Sequence, residues 1–483
     1  MTEPYTPSAP LPVDAVREAV HADMPRIVEE LTELVAIPGI AWDSFDPEQL
    51  ERSARAVAGL LAQAGLDEVE ILRVPLGSTP GRPAVVARRR PAPGRPTVLL
   101  YAHHDVQPPG RRELWSSDPF AAEERDGRLY GRGAADDKAG IMAHVGALRA
   151  VAAQLGDDLG LGVTVFVEGE EEAGSPSFRD FLEAYRDRLA ADVIVIADSS
   201  NWELGVPALT TSLRGMVGAV VEVSVLDHAV HSGMYGGPVL DAPTLLARLV
   251  ATFHDDDGAV AVAGLHAEDS TDLVYDEDRF RADAAVRDGV RLAGRGSVAS
   301  RLWTQPALSV TGMDVTPVDV ASNTIIPSAR ARLSLRVAPG QDPAEAAEAL
   351  RRHVEAHAPF GAHVRFGLEE TGQSFRTDMG SEAARTAQWA LGEAWGRPAV
   401  ETGIGGSIPF TADLVELYPD AQILITGVED PDSRAHSADE SLHLAEFERA
   451  VLAEALLLLA LDASGRDGSR LAEAGQDGPA DRE

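Results

Sequence analysis

Short apolar runs that are typical of strands alternate with helical patterns through much of this chain. The runs TVLLYA, GVTVFV and DVIVIA begin at residues 97, 162 and 192. Between the first and the last of these runs, helical patterns cover 138–154 and 177–189. Strands that alternate with helices are typical of an α/β sheet covered by helices. The sequence therefore predicts an α/β fold for the first part of the chain.

The pattern changes near Met216, where VGAVVEVSV alternates as a half-buried strand. Predicted helices near 242–254 and over 342–357, with a strand from Ala331, complete what resembles a β-α-β-β-α-β unit. After about residue 376 the helical pattern resumes, and an apolar strand and a final helix follow. We therefore predict four segments: the main α/β domain at 12–213 and 376–463, an inserted α+β, ferredoxin-like domain at 214–375, and a polar, disordered tail at 464–483.

Composition excludes several classes of site and partner. The chain has no cysteine, so His, Asp and Glu must hold any metal. Lys plus Arg number 42 and Asp plus Glu number 77, and the resulting net charge of −35 repels nucleic acids and anionic membranes. No apolar run approaches the roughly 18 residues of a membrane span, and no secretory signal is visible at the start. We expect a cytoplasmic protein that binds neither nucleic acid nor membrane.

Polar segments rich in His, Asp and Glu follow several predicted strands. These segments are YAHHDVQP from Tyr101, VEGEEEAGS from Val167, IADSS from Ile196 and AHSADE from Ala435, and a fifth, YGRGAADDKAG from Tyr130, leads into a helix. Each segment alone is a weak or moderate signal: HHD is explained as a polar strand end and AADDK as the solvated start of a helix, whereas the repulsion among four clustered glutamates calls for nearby cations. Together they fit one metal site without sulfur, because open α/β sheets bind ligands at the carboxyl ends of their strands.

The same segments carry a family resemblance. HHDV, GRGAADDK, EEEAGS, Asp198 and AHS resemble the co-catalytic zinc family of dipeptidases, aminoacylases and glutamate carboxypeptidases. PALTTSLRG at 207–215, HSGMYGG at 231–237 and GGSIP at 405–409 are most similar to its carnosinase and cytosolic nonspecific dipeptidase branch. The likeness extends over nearly the whole chain. It implies a zinc-peptidase catalytic domain, with a mixed sheet covered by helices, and an inserted lid and dimerisation domain.

The resemblance also implies a set of metal ligands. Two zinc ions are expected in each subunit, with manganese or cobalt as alternatives. Asp136 would bridge the two ions. His103 and Asp198 would complete one site, and Glu172 and His436 would complete the other. The peptide bond between residues 136 and 137 is expected to be cis, as it is in relatives.

Further roles follow from the same resemblance. Glu171 would be the general base, since adjacent glutamates of an extended segment face opposite sides and only one can ligate a given metal. Asp105, which shares a strand face with His103, would orient that imidazole. His231 would stabilise the oxyanion in the active site of the partner subunit, which implies a homodimer. The residues expected to hold the substrate are Arg336, Asn323 and Ser407.

These expectations define a leading hypothesis and two alternatives. The leading one is a di-zinc metallopeptidase that hydrolyses the amide bond of dipeptides or similar small peptides with water activated by the metals. An N-acyl amino acid deacylase would use the same site, and specificity between the two depends on the shape of the lid loops. The remote alternative, from a different class, is a noncatalytic metal-binding homologue.

Overall fold

The computed structural model describes residues 5–7, 9–269, 273–406 and 409–474. The helices are α1 (Val13–Val35), α2 (Pro47–Gln63), α3 (Lys138–Leu155), α4 (Phe178–Ala184), α5 (Arg186–Leu189), α6 (Ser232–Tyr235), α7 (Ala242–Val250), α8 (Glu277–Asp283), α9 (Val298–Trp303), α10 (Pro343–Ala356), α11 (Glu382–Trp395), α12 (Pro409–Leu417) and α13 (Leu444–Ala474). The strands are β1 (Glu68–Leu72), β2 (Pro75–Leu76), β3 (Thr79–Pro80), β4 (Ala84–Arg89), β5 (Thr97–His103), β6 (Glu123–Arg125), β7 (Arg128–Tyr130), β8 (Gly162–Glu168), β9 (Val193–Ile196), β10 (Ala208–Leu213), β11 (Gly215–Ser224), β12 (Val230–His231), β13 (Ala307–Asp314), β14 (Thr324–Ile325), β15 (Ser328–Val337), β16 (His363–Gly372), β17 (Phe375–Arg376), β18 (Val400–Ile404), β19 (Gln422–Ile425) and β20 (Ser441–His443).

The chain divides into two compact units. Unit 1 comprises Met1–Thr211, Thr377–Glu401 and Asp413–Glu483, and unit 2 comprises Ser212–Arg376 and Thr402–Ala412. The sequence predicts that 402–412 belongs to the main domain, whereas in the structure this segment belongs to unit 2. The physical reason is local, because Arg214 donates hydrogen bonds from its main-chain N–H to the carbonyl of Ile404 and from Nε to the carbonyl of Gly405, at 3.3 and 2.9 Å.

The central sheet of unit 1 is mixed, as predicted. Its strands lie in the order β1-β4-β8-β5-β9-β19-β10. The four central strands β8, β5, β9 and β19 are parallel to one another, whereas β4 runs antiparallel to β8 and β10 runs antiparallel to β19. The carboxyl ends of the four parallel strands therefore lie at one edge of the sheet. Every residue of β8 is buried, which explains its continuous apolar run.

A layer of helices packs together in the core of unit 1. Helix α13 contacts α1, α3 and α11, and α1 also contacts α3. The apolar side chains of these helices form a single buried cluster with the sheet. Gly146 of α3 allows the close approach of its neighbours. A Cβ at this position would lie 2.8 Å from both Ile27 Cδ1 and Val451 Cγ1. A side chain at residue 146 would therefore force these neighbouring side chains to move.

The C-terminal helix is longer than the sequence analysis predicted. Residues 464–483 were expected to be a disordered tail, but α13 continues to Ala474. The helix thus enters the predicted tail over residues 464–474, whose disorder stays a prediction, and residues 475–483 lie outside the described part of the chain. Once a helix is nucleated, each added residue gains one hydrogen bond, so polar and glycine residues do not end it at once.

A buried ion pair fastens α13 to the loops at the amino-terminal edge of the sheet. Arg95 and Asp462 have side-chain exposures of 6% and 2%. Asp462 Oδ1 accepts hydrogen bonds from Arg95 Nη2 at 2.8 Å and from the main-chain N–H groups of Gly160 and Leu161 at 2.9 Å. These bonds satisfy the charge of a carboxylate that is removed from water.

We expect Asp462→Ala to lower the free energy of unfolding by about 3–5 kcal/mol, because it leaves the Arg95 guanidinium buried without its charge partner. Urea unfolding followed by circular dichroism measures this change. Glu183→Ala is the control, since it removes an exposed i,i+4 pair with Arg179 and should cost no more than about 0.5 kcal/mol. Equal losses in the two variants would contradict the prediction.

Unit 2 has the predicted ferredoxin-like arrangement. Its antiparallel sheet has the order β13-β15-β11-β16. Helices α7 and α10 pack on this sheet, so the chain order β11-α7-β13-β15-α10-β16 forms a β-α-β-β-α-β unit. Buried residues of the helices and strands, such as Leu246, Leu333 and Leu350, form its core. Over the described part of both units, no helix has the length and apolar character needed to cross a membrane.

Candidate metal centre

The segments with predicted ligands converge at the carboxyl edge of the sheet in unit 1. His103 ends β5, and Glu172 lies shortly after β8. Asp198 follows β9, and His436 lies in the loop after β19. Asp136 precedes α3, whose first residue is Lys138. Parallel strands place their carboxyl ends side by side, which brings residues that are far apart in the sequence into one site.

The Asp136 carboxylate lies between two imidazoles. Its Oδ1 is 3.1 Å from His103 Nε2, and its Oδ2 is 2.9 Å from His436 Nε2. Glu172 Oε2 lies 3.2 Å from the same nitrogen of His436. One carboxylate thus has one oxygen close to each of two separate groups of donor atoms, which is the arrangement that a bridging ligand requires.

Two groups of donor atoms are close enough to hold metal ions. In one, single donor atoms of His103, Asp137 and Asp198 all lie within 4.8 Å of one another, and in the other the same holds for Asp136, Glu172 and His436. The five residues named as ligands are therefore brought together. Asp137 was not among them, although it is the second carboxylate of the AspAsp pair.

Asp137 is a buried carboxylate that is only partly satisfied. Its Oδ2 accepts the main-chain N–H of His103 at 3.1 Å. Its Oδ1 is buried and has no hydrogen-bond partner among the described residues. Burial raises the pKa of Asp137 well above its usual range. A nearby cation would stabilise the ionised form of this group.

Two neighbouring carboxyl groups also have raised pKa values. Burial raises the pKa of Glu171 to about 9, and Asp198 adds to the shift although His103 opposes it. Burial also raises the pKa of Asp198 to about 6. Divalent cations would remove this penalty, and a set of oxygen and nitrogen donors without sulfur suits zinc, manganese or cobalt. The residues present therefore fit two metal ions.

Asp105 has a second contact that the sequence analysis missed. Its Oδ1 lies 3.5 Å from His103 Nδ1, which hydrogen-bonds to the main-chain oxygen of Asp105 at 3.1 Å. The two carboxylate oxygens of Asp105 also accept the main-chain N–H groups of Glu171 and Glu172, at 3.1 and 3.0 Å. Asp105 therefore fixes the backbone of Glu171 and Glu172. Its proposed role in orienting the His103 imidazole stays a prediction.

The backbone of that turn differs from the extended segment that we expected. Glu171–Ala173 forms a 3-10 turn, because Asp105 binds two consecutive N–H groups and a turn points them in the same direction. Gln107 distinguishes Glu172 from Glu171, because it donates hydrogen bonds to the carboxylate of Glu172 only. Its main-chain N–H and its Nε2 donate to Glu172 Oε1 and Oε2, at 3.1 and 2.7 Å. Gln107 was overlooked, although it lies in the YAHHDVQP motif.

The other two glutamates of the cluster have structural partners. Glu170 Oε1 accepts the main-chain N–H of Ser177 at 2.7 Å. Glu168 Oε2 accepts the hydroxyl of Tyr101 at 2.6 Å. Only Glu171 and Glu172 of this run belong to the candidate metal centre. Another acid, Glu429, was also missed, and it lies close enough to Asp136 for their charges to interact.

Backbone geometry is unusual in both loops of the centre. The Asp136–Asp137 peptide bond is cis, as the resemblance implied. In the second loop Arg434, His436 and Asp439 have φ values of 56°, 62° and 58°. This left-handed conformation costs non-glycine residues about 1–3 kcal/mol each and persists where surrounding contacts enforce it.

The remaining candidates lie mainly in unit 2. His231 pairs with Thr324 in the β12–β14 ladder, and its Nδ1 accepts the N–H of Gly233 at 3.0 Å. Asn323 is adjacent, since its main-chain oxygen accepts the N–H of Ser232 at 2.9 Å. Arg336 lies on β15. Ser407 lies outside the described residues. The roles of these four residues stay predictions.

Comparisons with known proteins agree with the family that the motifs indicated. Residues 99–460 match the model of peptidase family M20/M25/M40. The chain is 36% identical over 439 residues to the cysteinylglycine-S-conjugate dipeptidase of Corynebacterium striatum, and the match covers 90% of this chain and 95% of that protein. It is 30% identical over 376 residues to the Beta-Ala-His dipeptidase of Homo sapiens, covering 72% and 73% of the two chains.

A solved structure shows the same fold. The crystal structure of human carnosine dipeptidase 1 matches with a TM-score of 0.71 and 24% sequence identity, covering 95% of this chain and all of that one. The two dipeptidase relatives confirm the resemblance to a carnosinase and dipeptidase branch. The matched region of the family model includes every residue of both donor groups. The chain therefore belongs to peptidase family M20/M25/M40.

Proposed function

We propose that this protein is a metal-dependent dipeptidase with two metal ions, zinc in the first instance, in the candidate metal centre. The observation that carries the proposal is the Asp136 carboxylate, which lies between His103 and His436 with one oxygen toward each. The names of the dipeptidases to which the chain is similar support the substrate class. The residues that would hold the ions are Asp136, His103, Asp198, Glu172 and His436.

In the proposed reaction the metal ions and Glu171 have different roles. When bound, the two ions supply Lewis acidity, which activates water and polarises the scissile carbonyl. Glu171 takes the proton of the attacking water and delivers it to the leaving nitrogen. Its side chain is 23% exposed, with Oε2 4.0 Å from His103 Nε2. Within the described chain this carboxylate has no hydrogen-bond donor, whereas Gln107 donates to both oxygens of Glu172.

Asp105 keeps the proposed base in place. Because its carboxylate fixes the N–H groups of Glu171 and Glu172 together, the base and the ligand keep one relative orientation. Such fixed geometry is worth more than basicity alone, since proton transfer needs heavy atoms about 2.6–3.2 Å apart in the productive complex.

We further infer a cytoplasmic homodimer in which His231 acts in the active site of the partner subunit. The similarity of HSGMYGG at 231–237 to the dipeptidase branch supports this part of the proposal. Arg336 would bind the terminal carboxylate of the substrate, for which its planar guanidinium is well suited. Asn323 and Ser407 would contact the substrate near the scissile bond.

A substrate panel tests the proposal. Protein loaded with zinc should hydrolyse unmodified dipeptides, lose this activity with a chelator and regain it when zinc is restored. Matched N-acetyl amino acids should react much more slowly. Hydrolysis of the acylated compounds alone would favour the deacylase and overturn the dipeptidase. Two bound metals without turnover of either set would favour a noncatalytic homologue.

A further inference from the structure

A buried ion pair joins the two loops that carry Asp136 and His436. Arg132 and Glu440 have side-chain exposures of 1% and 0%, and Arg132 Nη1 lies 2.5 Å from Glu440 Oε2. The ion pair lies next to the antiparallel ladder of β7 and β20, which Gly131 and Glu440 extend, since the N–H of Gly131 donates to the main-chain oxygen of Glu440 at 3.0 Å. The strand pairing therefore fixes the position of the ion pair relative to both loops.

Glu440 binds the backbone of the first loop. Its Oε1 accepts the N–H groups of Ala135 and Asp136, at 3.0 and 3.1 Å. The carboxylate is thus shared, with one oxygen on the guanidinium and the other on the loop. Because Oε1 binds the backbone of Asp136 itself, a movement of Glu440 moves the proposed bridging ligand.

Arg132 binds the backbone of the second loop. Its Nη2 donates to the carbonyl of Ser437, the residue after His436, at 3.2 Å. Its guanidinium also lies over the ring of Trp115, 5.4 Å from the centroid. The planar fork of arginine therefore reaches the carboxylate and the second loop at once, which a lysine cannot reproduce with one nitrogen.

We infer that Arg132 and Glu440 are positioning residues that set the separation of Asp136 and His436 and thereby the affinity of the centre for metal ions. This inference rests on the proposed function, since it presumes that these two residues are ligands. A buried ion pair contributes little net stability, so its best-attested use is to fix register. Groups that orient metal ligands typically account for about 10–100-fold in metal affinity.

The test compares Arg132→Lys with Arg95→Lys. Both substitutions keep the charge of a buried arginine, but Arg95 pairs with Asp462 at the opposite edge of the sheet. We expect Arg132→Lys to weaken binding of one zinc ion by about 10–100-fold and to change the visible spectrum of the cobalt-loaded protein. Arg95→Lys should lower the melting temperature but leave zinc affinity and the cobalt spectrum unchanged.

Two further measurements keep the inference testable if Arg132→Lys does not fold. Glu440→Gln keeps the size of the side chain and one oxygen for the loop, and it should also weaken zinc binding. In metal-free wild-type protein, the amides of Ala135 and Asp136 should exchange hydrogen slowly, because Glu440 already holds them. Exchange at the rate of an unstructured chain would overturn the inference.

The outcomes separate this inference from the proposed function. Wild-type zinc affinity in both Arg132→Lys and Glu440→Gln would overturn the positioning role and leave the dipeptidase proposal intact. An equal loss of affinity in Arg95→Lys would reduce the effect to general stability and would also overturn it. A wild-type protein that binds fewer than two zinc ions would overturn both.

Discussion

Glu171→Gln is expected to lower kcat for dipeptide hydrolysis by about 10²–10⁴-fold, which is the usual contribution of a general acid–base group. The amide has the shape of the carboxylate but cannot accept the proton of water. Glu171 lies outside both donor groups, so both metal ions should stay bound. Steady-state kinetics and metal analysis of the same sample measure the two quantities together.

Glu170→Gln provides the matched control for this prediction. It makes the same substitution one residue earlier, where the carboxylate accepts from Ser177. The amide oxygen can keep that bond, so kcat should stay near the wild-type value. Turnover that is unchanged in Glu171→Gln, with two metals bound, would remove Glu171 as the base. A loss of metal in that variant would instead make Glu171 a ligand.

Asp136→Asn is expected to weaken binding of both metal ions, each by more than about 100-fold, the upper end of the effect of groups that merely orient ligands. The reason is the position of Asp136 between His103 and His436. An amide has one oxygen and no charge, so it cannot serve both groups. Zinc titration against a chromophoric chelator measures the two affinities, and turnover should fall with metal content.

Asp198→Asn is the comparison for this second prediction, because Asp198 belongs to the group of His103, whereas Asp136 lies close to an imidazole of each group. It should weaken binding of one ion and leave the other near its wild-type affinity. If Asp136→Asn still bound two ions tightly, Asp137 would be the better candidate for the bridging carboxylate, since it lies in the other group with His103.

The parts of the centre that could be predicted from the sequence lie at strand ends. The apolar runs of β5, β8 and β9 identify the strands, and parallel packing then forces His103, Glu172 and Asp198 toward one edge. The bridging role of Asp136 did not follow from such patterns. That role, which stays a prediction, came from the likeness of GRGAADDK to a family.

The supporting contacts could not be predicted in this way. Asp105, Gln107 and Glu440 all act on main-chain N–H groups of loops. Hydrophobic periodicity describes strands and helices, but it does not encode the direction of an amide in an irregular segment. The place of 402–412 in unit 2 could not be predicted for the same reason, because it depends on hydrogen bonds from Arg214 to two main-chain carbonyl groups.

The order of the strands also determines when the proposed metal centre can assemble during synthesis. Since β19 lies between β9 and β10, a nascent chain that stops before residue 422 leaves the facing edges of both strands unpaired, and exposed edges invite aggregation. His436 emerges from the ribosome later still. A chain that stops before residue 436 therefore lacks one of the proposed ligands, and the proposed metal centre cannot close in it.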